Sequence, residues 1–498
     1  MVIIGWFVLG LLLSGVAIRG AMVLAHRFNV VDQPGGHKLH KNSTPFVGGV
    51  GIVSAFLCAL FLLYSAQMLP PGHCGALTVG GVIIFLTGFA DDVWRLSFKF
   101  RFAIQAIAIL LMIFWAGVAL DDLGQLSWHG QLELGWFAIP FTLFAAVGII
   151  NALNMTDGID GLSGTVSLVS LFLLSLVAFS AGANAYVVLL AALMGGVVGF
   201  LYFNLRYPTQ PHARVFLGDN GSMLLGFLFA WLLFDLSQGE PRAMPPVLGL
   251  WLFAVPLMDT VGVTLRRIWL GKSPFRPDRH HLHHLFIRAG FRIRDTVYTI
   301  ALIQLGFGVA GFLAIQAGVS ELSMFVAFLI AFMVYFYLIV RPWRCVPALR
   351  QIHARLGLSS PETQGVFLGG CSLEGATFLI DGLTQQMKTC DDFQLAVYKA
   401  RREGRKDEYI YAVIELLTED NEVSKEEARR LVNKLKNRFH GHMGIRIRQF
   451  LVRNHVNDRR VGRKKIQMDK RASDRRSKHS KILIHSAHGS SQPDAVIA

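Results

Sequence analysis

Eleven long apolar runs leave this chain few ways to fold. They lie at about Val2–Ala25, Gly48–Leu69, Ala76–Ala90, Phe102–Leu120, Gly135–Ile150, Gly164–Ser180, Ala185–Phe203, Met223–Phe234, Met244–Leu265, Val297–Ala317 and Leu322–Val340. Crossing the hydrocarbon of a bilayer takes roughly 20 helical residues, because a helix satisfies its own backbone polar groups. The third and eighth runs are short by that measure. A charged content of 16% and a mean hydropathy of +0.46 exclude an ordinary soluble protein. The pattern predicts an all-α polytopic membrane protein with about eleven transmembrane helices. The first run has neither a basic start nor a small-residue cleavage site, so it reads as a span rather than a signal peptide.

Charge gives the expected orientation. Eighteen Lys and Arg lie in residues 1–340 and 30 in the tail. Arg19 falls inside the first span, and of the other 17 only Arg242 sits on an even-numbered loop. Excess Lys and Arg mark cytoplasmic loops, which places the N-terminus in the periplasm and the odd-numbered loops with the tail inside. Cys58, Cys74, Cys345, Cys371 and Cys390 are too scattered for a disulfide framework or a metal site.

Polar residues collect on those inner loops. The first, "DQPGGHKLHKNSTPFVGG", carries Asp32, His37, Lys38, His40 and Lys41. The second, "ADDVWRLSFKFRF", sets Asp91 beside Asp92 ahead of Arg95, Lys99 and Arg101. Adjacent carboxylates raise each other's pKa unless a cation stands between them. In the third, "NALNMTDGIDGLSG", Asn151 and Asn154 can share the end of the fifth helix. Gly158 and Gly161 then release the chain into a turn that presents Asp157 and Asp160. Such an oxygen-rich nest suits a hard cation such as magnesium. "GDNGS" offers Asp219 between Gly218 and Gly221, with Ser222 placed to cap the next helix.

The fifth loop holds His280, His281, His283 and His284 among Arg266, Arg267, Lys272, Arg276 and Arg279. A histidine cluster raises the question of zinc, but no cysteine accompanies it and five cations surround it. Basic groups with imidazoles fit phosphate better. "GKS" at Gly271–Ser273 is no P-loop, because Arg266 stands where the first glycine belongs. If these loops converge, they form a site for phosphates and Mg²⁺ beside the bilayer. Phosphoryl transfer needs mainly such positioning and charge neutralisation. A phosphorylated lipid is the natural substrate for an enzyme embedded there.

"GFADDVWRLSFKFR", "INALNMTDGIDGL", "VFLGDNGSMLLG" and "SPFRPDRHHLHHLFIRAG" stand in the order found in the polyprenyl-phosphate N-acetylhexosamine-1-phosphate transferases. Residues 1–342 resemble that family. The His-x-His-His form after Asp278 and Arg279 is similar to the bacterial branch using UDP-N-acetylglucosamine and undecaprenyl phosphate. The three consecutive histidines of the peptidoglycan branch are absent. The resemblance implies attack of the lipid phosphate on the sugar-linked phosphorus, loss of UMP and formation of undecaprenyl-diphospho-N-acetylglucosamine. That product begins O-antigen or related envelope glycans. The resemblance also implies a cytoplasmic-face active site in the bacterial inner membrane, and Mg²⁺, with Mn²⁺ as a substitute. By motif match, Asp219 and Asn154 hold the metal. Asp91 and Asp92 bind Mg²⁺–diphosphate or take the proton of the lipid phosphate. Asp157 and Asp160 complete the catalytic acids. His281, His283 and His284, with Arg267 and Arg279, engage the nucleotide-sugar phosphates, and Lys38 and His40 lie near the lipid phosphate. The chain departs from the family at His37, where arginine is common.

Residues 343–456 read as a small, mostly helical cytoplasmic extension, and 457–498 as a basic disordered tail. "KDEYIYAVIELLTEDNEVSKEEARRLVNKLKNRF" suggests two helices, with Ser424 and Glu427 as a capping box. "QGVFLGGCSLEGATFLIDGL" admits strands or turns. The tail's charge suits a solvated module or contact with anionic lipid or a protein partner; no nucleic acid is expected. Two alternatives compete with the expected reaction. One is the same transfer with another UDP-N-acetylhexosamine. The other is a transporter or lipid flippase, which would place charge mid-membrane in repeated halves, and neither feature is found.

Overall fold

The computed structural model describes residues 2–28, 31–32, 44–127, 130–239, 241–271, 273, 281–340, 342–356, 363–371, 393–401, 408–416, 446–452 and 479–482. The chain divides into two compact units, Met1–Leu285 with Ile293–Pro342, and Phe286–Arg292 with Trp343–Ala498.

The first unit is helical. Its elements are α1 (Val2–Arg27), α2 (Gly48–Ser65), α3 (Pro71–Trp94), α4 (Phe98–Ala116), α5 (Ala138–Thr156), α6 (Leu162–Ser180), α7 (Asn184–Asn204), α8 (Gly218–Asp235), α9 (Pro246–Leu252), α10 (Ala254–Trp269), α12 (Ile293–Gln316) and α13 (Glu321–Val340). The short helix α11 (Leu282–Arg288) begins in it. The two-residue strands β1 (Val31–Asp32) and β2 (Thr44–Pro45) pair antiparallel before α2. Among the described residues, nine helices are long and apolar enough to cross a membrane, or ten spans if the bent pair α9–α10 counts as one. Large apolar side chains such as Phe114, Phe144, Val16 and Leu302 stand exposed around the bundle, as lipid-facing surfaces require.

The eighth run is α8, lengthened at its start by the polar turn Gly218–Ser222. It is the centre of the bundle. Every residue from Gly218 to Phe234 is buried except Asp219, and α2, α3 and α5 pack on it. Glycines permit the approach. A Cβ at Gly88 of α3 would stand 2.5 Å from Asn220 Cα, and one at Gly49 of α2 would stand 2.6 Å from Gly221 Cα. The first turn of α8 is thus clamped on two sides.

The ninth run was expected as one helix and is two, meeting at 84°. Pro256 cannot donate a backbone hydrogen bond, so the helix breaks just before it, at Phe253. Gln304 of α12, fully buried, repairs the break. Its Oε1 accepts Val255 N at 2.9 Å, and its Nε2 donates to Leu252 O at 2.8 Å.

The second unit differs from the mostly helical expectation. After α14 (Pro342–Arg355), its described residues form a five-stranded antiparallel sheet. The strands are β3 (Thr363–Cys371), β4 (Phe393–Arg401), β5 (Glu408–Leu416), β6 (Arg446–Val452) and β7 (His479–Ile482), in the order β6-β3-β5-β4-β7. Segment 408–416, expected to begin a helix, is the central strand β5. Its run Tyr409, Ile410, Tyr411, Val413, Ile414 is aromatic and β-branched, which suits a pleated surface better than a helix. β7 falls within the stretch expected to be disordered. The capping box at Ser424 and Glu427 lies outside the described residues.

Candidate active site

Alternate helices bring the polar loops to one end of the first unit, where α3, α5 and α7 finish and α4, α6 and α8 begin. Helix α8 exposes unpaired backbone N–H groups at its first turn. Asp92 of α3 caps them from outside the helix. Its Oδ1 accepts Asp219 N at 2.9 Å, and its Oδ2 accepts Asn220 N at 3.2 Å and Asn220 Nδ2 at 2.6 Å. Asn220 also donates to Phe46 O at 2.9 Å, tying in the segment before α2. Gly218 (φ +75°) makes the turn into α8. Ser222, expected as a cap, lies one turn inside α8, and its hydroxyl donates to Gly218 O.

Asp219, the one part-exposed residue of that turn, carries its carboxylate between two neighbours. Asn154 at the end of α5 donates to Asp219 Oδ1 at 2.7 Å and to Ser222 Oγ at 3.0 Å. Arg101 of α4 places Nη1 2.5 Å from Asp91 Oδ2 and 3.7 Å from Asp219 Oδ2. The cation expected beside the aspartate pair is therefore Arg101. It serves Asp91 and Asp219, while Asp92 is spent on α8.

The turn after α5 delivers the other two acids differently. Asp160 is buried, takes Arg206 Nε at 2.7 Å and Ala213 N at 3.3 Å, and so holds the segment following α7. Gly161 (φ +84°) opens α6, its N–H donating to Asn204 Oδ1 at 2.6 Å. Asp157 is half-buried, and no ion pair joins it among the described residues. Loss of water pushes its carboxyl well above the usual range, and the charges of Asp219, Asp92 and Asp160 push it further. Among the described residues five carboxylates thus share two arginines, a deficit of positive charge that a divalent cation would fill.

The histidine segment meets this cluster. A Cβ at Gly158 would stand 2.5 Å from His283 Nε2, which is buried and has no hydrogen-bond partner among the described residues. Burial lowers the His283 pKa to about 4, so its imidazole is neutral near pH 7. It can accept or donate a hydrogen bond, so contact with a phosphate, as expected of it, would run through a neutral ring. His281 Nδ1 lies 2.9 Å from Asp259 Oδ2. Because a carboxylate only accepts, the Nδ1–H donates, leaving Nε2 on the far side of the ring. Asp259 also accepts Leu282 N at 2.9 Å and the Tyr335 hydroxyl at 2.5 Å. The ring of His284 lies 4.2 Å from that of His283. Arg267 is buried in the last turn of α10. Lys38, His40 and Arg279 lie outside the described residues.

Arg206, Asp259, Tyr335 and Gln304 were not singled out from the sequence, and Arg101 stood there only as one of three cations after the acid pair. Asp259 carried a signal, since a lone carboxylate inside an apolar run marks a functional position.

Residues 74–237 match the profile of glycosyl transferase family 4. The chain is 36% identical over 339 residues to the undecaprenyl-phosphate alpha-N-acetylglucosaminyl 1-phosphate transferase of Salmonella typhi, covering 68% of this chain and 90% of that protein. Against the protein of the same name in Haemophilus influenzae it is 37% identical over 332 residues, covering 67% and 92%. With the Escherichia coli K12 protein of that name it shares 35% over 337 residues, covering 68% and 90%. Matched loops, convergent acids and relatives covered nearly end to end agree, and the chain belongs to glycosyl transferase family 4 as a membrane-embedded enzyme.

Proposed function

We propose that this enzyme transfers N-acetylglucosamine 1-phosphate from UDP-N-acetylglucosamine to undecaprenyl phosphate. The observation that carries the reading is the placement of Asp219. It is fixed by Asn154, mounted on a helix start that Asp92 caps, and faces Asp91 across Arg101. The relatives' name, undecaprenyl-phosphate alpha-N-acetylglucosaminyl 1-phosphate transferase, supports the same reading.

The donor set fits Mg²⁺, which takes one or two carboxylates and completes its shell with water and substrate phosphates. No group of three His, Cys, Asp or Glu among the described residues could cage a metal alone, which agrees with that mode. Asp219 and Asp91 would hold the ion, with Asn154 orienting Asp219; bound there, it would neutralise the diphosphate. Asp92 acts on the ion only by fixing α8.

The lipid phosphate is mostly dianionic near pH 7, since the second pKa of a phosphomonoester is about 6. An oxygen of that dianion attacks the sugar-linked phosphorus. The phosphorus–oxygen bond to UMP breaks, and UMP leaves with the bridging oxygen. Little base is needed, so the protein's task is alignment. Arg267 and His281, whose ring Asp259 orients, engage the nucleotide-sugar phosphates by motif match, and neutral His283 hydrogen-bonds beside Gly158. Arg279, Lys38 and His40 take the nucleotide and lipid phosphates by motif match. The inner membrane, a cytoplasmic active site and entry into O-antigen or related synthesis belong to the same reading. Contact of the basic tail with anionic lipid rests on charge alone.

Membranes containing the enzyme, given undecaprenyl phosphate and labelled UDP-N-acetylglucosamine, are expected to release UMP and form a labelled lipid only with Mg²⁺ or Mn²⁺. Labelled lipid formed from a different UDP-N-acetylhexosamine alone would reassign the sugar. Substrate movement without UMP would overturn the reading.

A further inference from the structure

We propose that Arg101 is a built-in occupant of the metal's seat, bridging Asp91 and Asp219 until a divalent cation displaces it and then pairing with the substrate diphosphate. The inference rests on the function proposed above. One guanidinium nitrogen lies 2.5 Å from Asp91 Oδ2 and 3.7 Å from Asp219 Oδ2, so a single positive charge stands between two carboxylates from different helices. Neither carboxylate is paired with any other cation among the described residues, and their neighbour Asp92 is fully used by α8.

An ion of magnesium's size coordinates at about 2.1 Å and would draw the two oxygens into its own shell. The guanidinium cannot share that space, because two cations a few ångströms apart repel as strongly as the carboxylates attract. Occupation is therefore exclusive. Arg101 is free to leave. It is the fourth residue after the Ser97 cap of α4, its side chain is a quarter exposed, and its long stem carries a fork suited to phosphate. The exchange offsets the repulsion between the two carboxylates while no metal is bound, and it delivers a phosphate-binding cation when metal and diphosphate arrive together.

The test measures Mn²⁺ binding by electron paramagnetic resonance on the full-length protein in detergent without substrate. Removing the competitor in Arg101→Gln is expected to tighten Mn²⁺ about tenfold, a coupling of the usual size between competing ligands. Arg95→Gln removes an equal charge from the exposed turn just before α4 and is expected to change Mn²⁺ affinity less than about twofold. Thermal unfolding checks that both variants fold. If Arg101→Gln does not, Arg101→Lys carries the test. Its shorter amine gives up one carboxylate and is expected to tighten Mn²⁺ about threefold. The inference is overturned by unchanged or weaker Mn²⁺ binding in the Arg101 variant that folds. Equal tightening in Arg95→Gln also overturns it, since the effect would then be general charge. Wild-type enzyme that fails to release UMP sinks the proposed function instead, and the Mn²⁺ result is independent of that outcome.

Discussion

Asp122, in the loop between α4 and α5, and Asp219, at the start of α8, are both partly or fully buried carboxylates, yet their surroundings differ in kind. Asp122 lies at the end of the bundle opposite the active site. Arg242 grips both its oxygens at 3.1 Å, Gly124 N donates at 2.8 Å, and Gln238 bridges the backbones of Asp121 and Asp122. Close by, Glu321 of α13 accepts Gln125 N at 2.9 Å, and Asp235 takes the Tyr186 hydroxyl with His73 beside it. Asp122, Asp235 and Glu321 there each have a dedicated partner. At the active-site end, among the described residues, Asp219 and Asp91 divide one arginine and Asp157 has none. Saturated polar groups hold a fold together; groups short of partners are kept that way at a cost in stability and are available for a ligand.

Substitutions at the two ends should therefore separate activity from stability. Asp219→Asn is expected to lower turnover by about 10²–10³-fold with an unchanged or raised unfolding temperature, read from UMP release and thermal denaturation. A parallel fall in both would erase the contrast. Gly88→Ala drives a methyl into the first turn of α8, 2.5 Å from Asn220 Cα, and is expected to cost up to about 3 kcal/mol as well as activity. It tests whether the site is stiff because the core is.

Asp122→Ala is expected to cost about 2 kcal/mol, reduced from a fully buried pair because Arg242 stays a quarter exposed, and to leave turnover per folded molecule unchanged. The smallest effect is in acid. Burial alone would raise the Asp122 carboxyl, but the Arg242 and Gly124 hydrogen bonds outweigh it and hold it below the usual range. Its contribution is thus complete above the unfolded value of about 3.9 and disappears as pH falls through the lower folded value. Unfolding temperature should drop less steeply below pH 4 in Asp122→Asn than in wild type. If the two profiles coincide, the clasp carries no charge-dependent stability.

The span pattern and the inner-loop acids were readable because both are local: apolar length records a membrane crossing, and Asp-Asp or Asn-x-x-Asp spacing survives without a fold. What escaped was relational. Nothing in "ADDVW" says that Asp92 will cap a helix 127 residues away while Asp91 will not. Arg101 and Arg206 looked like ordinary loop cations until their carboxylates were placed. The helical reading of 408–416 failed because charged residues and a strong downstream cap outweighed a short β-branched run that only a sheet could explain. The bend at Phe253 was hidden in an apolar average that ignores Pro256.

Gln304 gives that bend a history. Its hydrogen bonds with Val255 N and Leu252 O close backbone groups made 49 and 52 residues earlier. At about 5–20 residues per second, the nascent chain carries a raw peptide joint for several seconds before the mending side chain emerges. Over that interval the joint must borrow its partners from water, lipid headgroups or the insertion machinery. Assembly of the catalytic end is thereby made to wait for the penultimate span.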